Sequence, residues 1–190
     1  MNKKDVILSV ICGVSVSWIA IDFFGKIGWL AVIIFPILSV IGFWVVDLIG
    51  KKYLFVKQAG KFSLAGAFAD VVDIKIFQLF FLFLPFPLVC KVMSFFAGTL
   101  VKYFSDKFWT FSAPGGPASG GEKGVTIREM SKFFMVAILG SAINVVAFYF
   151  FDKIKVGLPQ HTWQEACIIL AALVTAIWNF CGYKFVVFKK

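Results

Sequence analysis

Six long apolar stretches dominate the chain, at residues 6–24, 27–49, 62–84, 87–104, 133–151 and 163–183. Each approaches the roughly 20 apolar residues that a helix needs to cross the hydrocarbon core of a bilayer. The runs are continuously apolar and do not alternate as the strands of a membrane barrel would. With 61% of residues hydrophobic and 15% charged, too few polar side chains remain to cover a water-soluble globule. These features exclude a soluble enzyme, a disordered linker and a disulfide-stapled secreted domain. The expectation is an all-α integral membrane protein with six transmembrane helices. Lys3 and Lys4 precede the first run as in a secretory signal, but its length and the lack of a small-residue cleavage site predict that it stays.

The breaks between runs set the connectivity. Gly25-Lys26 and the stretch 83–87 are too short for anything but tight turns, so spans one and two, and three and four, are read as helical hairpins. The Gly/Pro/Ser-rich segment 112–124 is read as a flexible cytoplasmic linker before a third hairpin. Pro36 is expected to kink the second span. The division expected is an extra N-terminal hairpin at 1–56 and a four-helix domain at 57–190. If the N-terminus is cytoplasmic, that side receives 14 basic residues and the opposite side four, with Lys75 inside a span. Such a bias predicts both termini on the cytoplasmic face of the cytoplasmic (inner) membrane. The formal charge of +9 is read as orientation and contact with anionic lipid, not as nucleic-acid binding.

The hairpins echo one another. Lys61-Phe62-Ser63-Leu64-Ala65-Gly66 opens span three as Lys132-Phe133-Phe134-Met135-Val136-Ala137 opens span five, and the same offset sets Asp73 against Asn144. Spans four and six close on Lys107-Phe108-Trp109-Thr110-Phe111 and Lys184-Phe185-Val186-Val187-Phe188, with a fainter Lys51-Lys52-Tyr53-Leu54-Phe55 after span two. Lysine beside aromatics anchors many helix ends at the interface. Three copies of Lys-x-x-x-Phe, two with matching helix starts, favour a parallel repeat of two-helix units.

Polar residues inside the spans are the functional candidates, either lining a polar path or acting as interhelical hydrogen-bonding glue. Asp70, Asp73, Lys75 and Gln78 lie near the middle of span three, where each ionisable group costs roughly 2.5–3.5 kcal/mol. Asp70 and Asp73 share one helical face and Lys75 and Gln78 another, so span three is expected to sit centrally. Lys91, near the outer end of span four, is placed to meet an anionic headgroup or to snorkel. Lys102 and Asn179 take equivalent repeat positions near the cytoplasmic end, where a phosphate would dock, whereas Lys107 and Lys184 read as anchors. Ser94-x-x-x-Gly98 reads as packing. Asp70, Asp73, Lys91, Asn144, Lys102 and Asn179 are the candidate substrate-binding residues. Cys12, Cys90, Cys167 and Cys181 read as apolar packing residues, and His161 is assigned no chemistry. With no metal-ligand cluster, phosphate-cradling glycine loop or nucleophile motif, neither a cofactor nor a metal is expected, and the chain is not expected to be an enzyme.

Residues 58–189 resemble the GtrA-like family of small four-span membrane proteins. The resemblance rests on Lys61-Phe62-x-x-x-Gly66, Asp73, Lys91-x-x-Ser94-Phe95, Asp106-Lys107-Phe108-Trp109-Thr110-Phe111 and Tyr183-Lys184-Phe185-Val186-Val187-Phe188. The chain departs from the family in its added N-terminal hairpin, in Asp106 where Asn is usual, and in lacking a Val-Gly at 136–137. The resemblance implies a flippase for a polyprenyl-phosphate-linked monosaccharide in cell-surface glycan synthesis, with a polar groove open sideways to the bilayer. It leaves two alternatives: a non-transporting subunit that positions a glycosyltransferase, and a small ion-coupled transporter or channel. A homodimer is among the expected assemblies.

Overall fold

The structure is a computed structural model that describes residues 2–112, 125–154, 157 and 160–188. Among these residues every regular element is a helix, with no strand. Six α-helices follow in order: α1 (Lys3–Phe24), α2 (Ala31–Gly50), α3 (Leu54–Phe83), α4 (Pro87–Ser105), α5 (Ile127–Asp152) and α6 (Gln160–Gly182). Four stretches, Lys3–Asp22, Gly28–Gly50, Ile127–Asp152 and Leu170–Val187, are by length and composition apolar enough to cross a membrane. The protein is therefore an all-α, multi-pass membrane protein. Helices α3 and α4 carry the charged residues discussed below. The expected linker beyond Ser112 and the side chain of His161 lie outside the described residues.

The helices run past the apolar stretches that announce them. Helix α3 begins eight residues before Phe62 and takes Lys57 and Lys61 with it. The connection between α1 and α2 is a six-residue 3-10 helix, Gly25–Leu30, and not a two-residue turn. Pro87 opens α4 at its first turn, where the missing N–H costs nothing. The Thr126 side chain caps α5 by accepting from the Glu129 N–H at 3.3 Å, half of a Thr-x-x-Glu capping box.

The chain divides into two compact units, Met1–Ala113 and Pro114–Lys190. In the first, α1 and α2 lie antiparallel in close contact. A Cβ at Gly13 would stand 2.5 Å from the Pro36 Cα, and the Ser39 hydroxyl donates to the Ser9 carbonyl at 2.6 Å. Helix α2 continues through Pro36. Helix α3 packs against α1, α2 and α4. The ties to α1 rise together along both helices, Asp5 to Lys61, Cys12 to the Leu64 carbonyl and Asp22 to Lys75, so the two run parallel. Over these 17 residues α1 covers about 26 Å, close to the hydrocarbon thickness.

The second unit is the α5–α6 hairpin. Phe133, fully buried, stacks on Tyr183 at 3.8 Å between ring centroids, and the Trp178 indole donates to the Val136 carbonyl at 3.2 Å. A Cβ on Gly182 would meet the Val136 side chain at 2.6 Å, so only glycine lets the two helices approach there.

Both hairpins end alike. Helix α4 passes into a five-residue π-helical turn, Asp106–Thr110, and α6 into another, Tyr183–Val187. The N–H groups of Phe111 and Phe188 donate five residues back, to the Asp106 and Tyr183 carbonyls at 2.9 and 2.8 Å. Single π turns inside helices are rare. Two of them at equivalent repeat positions give the Lys-x-x-x-Phe motif a common backbone form. The wider turn swings the aromatic ends back against the preceding helix, and Phe111 and Phe188 are both buried.

A candidate functional site along a charged seam

The charges of α3 fall on two faces, each answered by a neighbour. On the α4 face, Asp73 accepts from Lys91 Nζ at 2.6 Å through Oδ2 and from Ser94 Oγ at 2.5 Å through Oδ1. Gly98 lets α3 come close: a Cβ there would lie 3.0 Å from the Asp73 Cβ and 3.1 Å from the Ala69 carbonyl oxygen. Toward the other end of the same seam, Lys102 Nζ donates to the Phe62 carbonyl at 2.8 Å and to Asp106 Oδ1 at 3.1 Å, and sits 3.5 Å from the centroid of the Phe62 ring. Thr110 Oγ1 donates to the same carboxylate oxygen at 2.9 Å. Burial pushes the Asp106 carboxyl above the usual carboxylate range, against the pull of Lys102 and Thr110.

Between these two ion pairs, separated along α4 by about 16 Å at 1.5 Å per residue, stands Asp70. It is exposed and has no ion-pair or hydrogen-bond partner among the described residues. Asp70, Asp73, Lys91 and Lys102 thus belong to one seam of mixed charge. The Lys91 side chain is 56% exposed and that of Lys102 only 12%.

The remaining expected residues lie in the second unit, on the matching faces of α5 and α6. Asn144 Nδ2 donates to Thr175 Oγ1 at 3.1 Å. Asn179 packs its carboxamide against Gly140, and its Oδ1 is buried without a partner. The second hairpin therefore repeats the polar positions of the first without its charges. Where the first stacks Lys102 over Phe62 and pairs it with Asp106, the second stacks Tyr183 on Phe133.

Several contributions lay beyond the sequence reading. Ser94, read as a packing residue, hydrogen-bonds Asp73. Lys107, read as an anchor, turns inward in the π turn, 6% exposed, with Nζ 3.4 Å from the Tyr103 hydroxyl. On the opposite face of α3, Lys75 and Gln78 both reach Asp22 of α1, and the Lys75 ammonium lies 4.7 Å from the Trp18 ring centroid. At the other end of α1, Asp5 receives Lys61 and the Trp109 indole, while Lys57 reaches Asp47 of α2 at 2.5 Å. The available signal was the placing of acids: Asp5, Asp22 and Asp47 sit at the ends of the first two runs, level with the excess lysines of α3.

A multi-pass helical membrane protein with a charged seam between two antiparallel helices and a π-turned repeat is the class these features define. Residues 61–188 match the family model described as GtrA/DPMS, transmembrane domain, which covers more than half of the chain. The chain belongs to that family. No curated protein and no solved structure gives a significant match. The match begins at Lys61, so α1, α2 and the first turns of α3 lie outside it.

Proposed function

We propose that this protein carries a polyprenyl-phosphate-linked monosaccharide across the cytoplasmic membrane along the α3–α4 seam, without covalent chemistry. Family membership supports the substrate class. The observation that carries the reading is the seam itself: the Asp73–Lys91–Ser94 cluster and Asp70, without a partner among the described residues, fall within the spans expected from the sequence, with Lys91 and Asp70 open at the surface of the unit. Ionisable groups within a span are costly and ordinarily face a polar path or each other.

The chemistry follows from exchange of partners. A lipid phosphate presents the same kind of oxygen anion to Lys91 that Asp73 does, so the headgroup takes over the ammonium while Asp73 and Ser94 turn to sugar hydroxyls. The Lys91–Asp73 pair re-forms when the headgroup leaves. Asp70, between the two ion pairs, offers acceptor oxygens along the way. Asn144 and Asn179 hold the equivalent repeat positions of the second hairpin with uncharged hydrogen-bonding groups. The tail stays in lipid throughout, as a sideways-open groove requires.

Reconstitution tests this. Liposomes containing the purified protein should move a fluorescent polyprenyl-phosphate sugar faster than protein-free liposomes. Asp73→Ala and Lys91→Ala should abolish the gain while the protein remains folded. Equal rates with and without protein would overturn the proposal. Capture of a glycosyltransferase that survives Asp73→Ala would favour a positioning subunit, and ion flux without lipid would favour a channel.

A further inference from the structure

One turn of α1 ties together the two helices that form the seam. Asp5 Oδ1 accepts from Lys61 Nζ of α3 at 2.8 Å and from Trp109 Nε1, in the π turn that ends α4, also at 2.8 Å. Its second oxygen lies 3.9 Å from Lys57. The preceding residue adds another tie, Lys4 Nζ donating to the Phe108 carbonyl at 3.2 Å. Asp5, Lys61 and Trp109 are all buried, at 4%, 7% and 5% exposure.

Polar groups are enclosed at this end of the seam without being satisfied. Gln58, one turn before Phe62 on α3, is 1% exposed, and neither its Nε2 nor its Oε1 has a hydrogen-bond partner. Asp106 is fully buried and its Oδ2 is likewise unpartnered. Enclosing such groups costs their desolvation with no bond in return. A purely structural helix end gains nothing from this. A closed gate that opens onto a polar ligand regains it. The difference in exposure between Lys102 and Lys91 runs the same way: the seam is shut where α1 crosses it and open at the far end.

We infer that the first turn of α1 is a clasp which closes the Asp5–Trp109 end of the seam. Releasing it gives Gln58, Lys102 and Asp106 to an anionic, hydroxyl-bearing headgroup. The inference rests on the translocation reading for its purpose but not for its geometry. It also gives the N-terminal hairpin, which lies outside the family match, a specific role: regulating entry to the seam.

Thiol accessibility reads the clasp directly. A Cβ at Gly66 would lie 3.8 Å from Lys102 Nζ, an ordinary contact, so Gly66→Cys places a reporter beside the enclosed lysine. In a background with Cys12, Cys90, Cys167 and Cys181 replaced by alanine, its modification by a small water-soluble methanethiosulfonate is followed in detergent micelles. Asp5→Ala should raise the rate at least about tenfold, as expected when hydrogen bonds to a charged group are lost. Trp109→Phe, which keeps the ring but removes the N–H, should raise it in the same direction and guards against a folding defect in the first variant. Asp22→Asn, which cuts the tie at the other end of α1, should leave the rate unchanged. Unchanged rates in both Asp5→Ala and Trp109→Phe, with both variants monodisperse, would overturn the clasp. A raised rate in a protein that moves no lipid in liposomes would uphold the clasp and sink the translocation reading.

Discussion

Asp73 and Lys91 are partners with unequal stakes. Asp73 is the more enclosed, its side chain 18% exposed against 56%, and it also holds Ser94. Asp73→Ala should therefore cost about 1–3 kcal/mol of stability, whereas Lys91→Ala, which leaves Asp73 its serine, should cost less than about 1 kcal/mol. Thermal unfolding in detergent measures both. Asp106 makes a different prediction. Burial raises its folded-state pKa, so the folded protein keeps the proton to higher pH than the unfolded chain does, and wild-type stability falls as pH rises through that interval. Asp106→Asn has no such titration. Its stability relative to wild type should increase from acid to neutral pH, and a difference flat with pH would contradict the assignment. The sequence made these residues visible because charge inside an apolar run stands out. It did not reveal the partners of Lys75 or Lys61, since α1–α3 adjacency is tertiary and no periodicity encodes it.

Helix pairing depends on a few positions where backbone meets backbone. Gly13 faces Pro36, and the atoms a side chain would strike are main-chain atoms that cannot swing aside. Gly13→Val should force α1 and α2 apart and cost about 1–3 kcal/mol or more, seen as a lower unfolding temperature. The π turn has its own anchor in the Phe133–Tyr183 stack, so Tyr183→Ala should cost about 3–5 kcal/mol, the usual loss for a large buried aromatic. The helices themselves were legible, because unbroken apolar runs allow little else in a bilayer. Their ends were not. Lys57 and Lys61 look like the end of a span, yet α3 carries them as its first turns because Asp47 and Asp5 wait there to pair with them. The π turns were visible only as a repeated Lys-x-x-x-Phe, since one extra residue in a turn leaves no mark in hydropathy.

For the molecule as a whole, the seam has meaning only with a direction. From the lysine bias we propose that both termini face the cytoplasm. Cysteines introduced at Lys52 and Lys153, both exposed, should accordingly be labelled by an impermeant reagent from the cytoplasmic and the outer side respectively. Labelling of both from one side would overturn the topology. A membrane voltage does work on net charge, about 2.3 kcal/mol per elementary charge per 100 mV across the full thickness, and very little on a neutral couple that moves as one. Lys91 with Asp73, and Lys75 with Asp22, are such couples. Asp70 has no such ion-pair partner among the described residues, so Asp70→Asn should weaken the response of the protein's motion to an imposed potential.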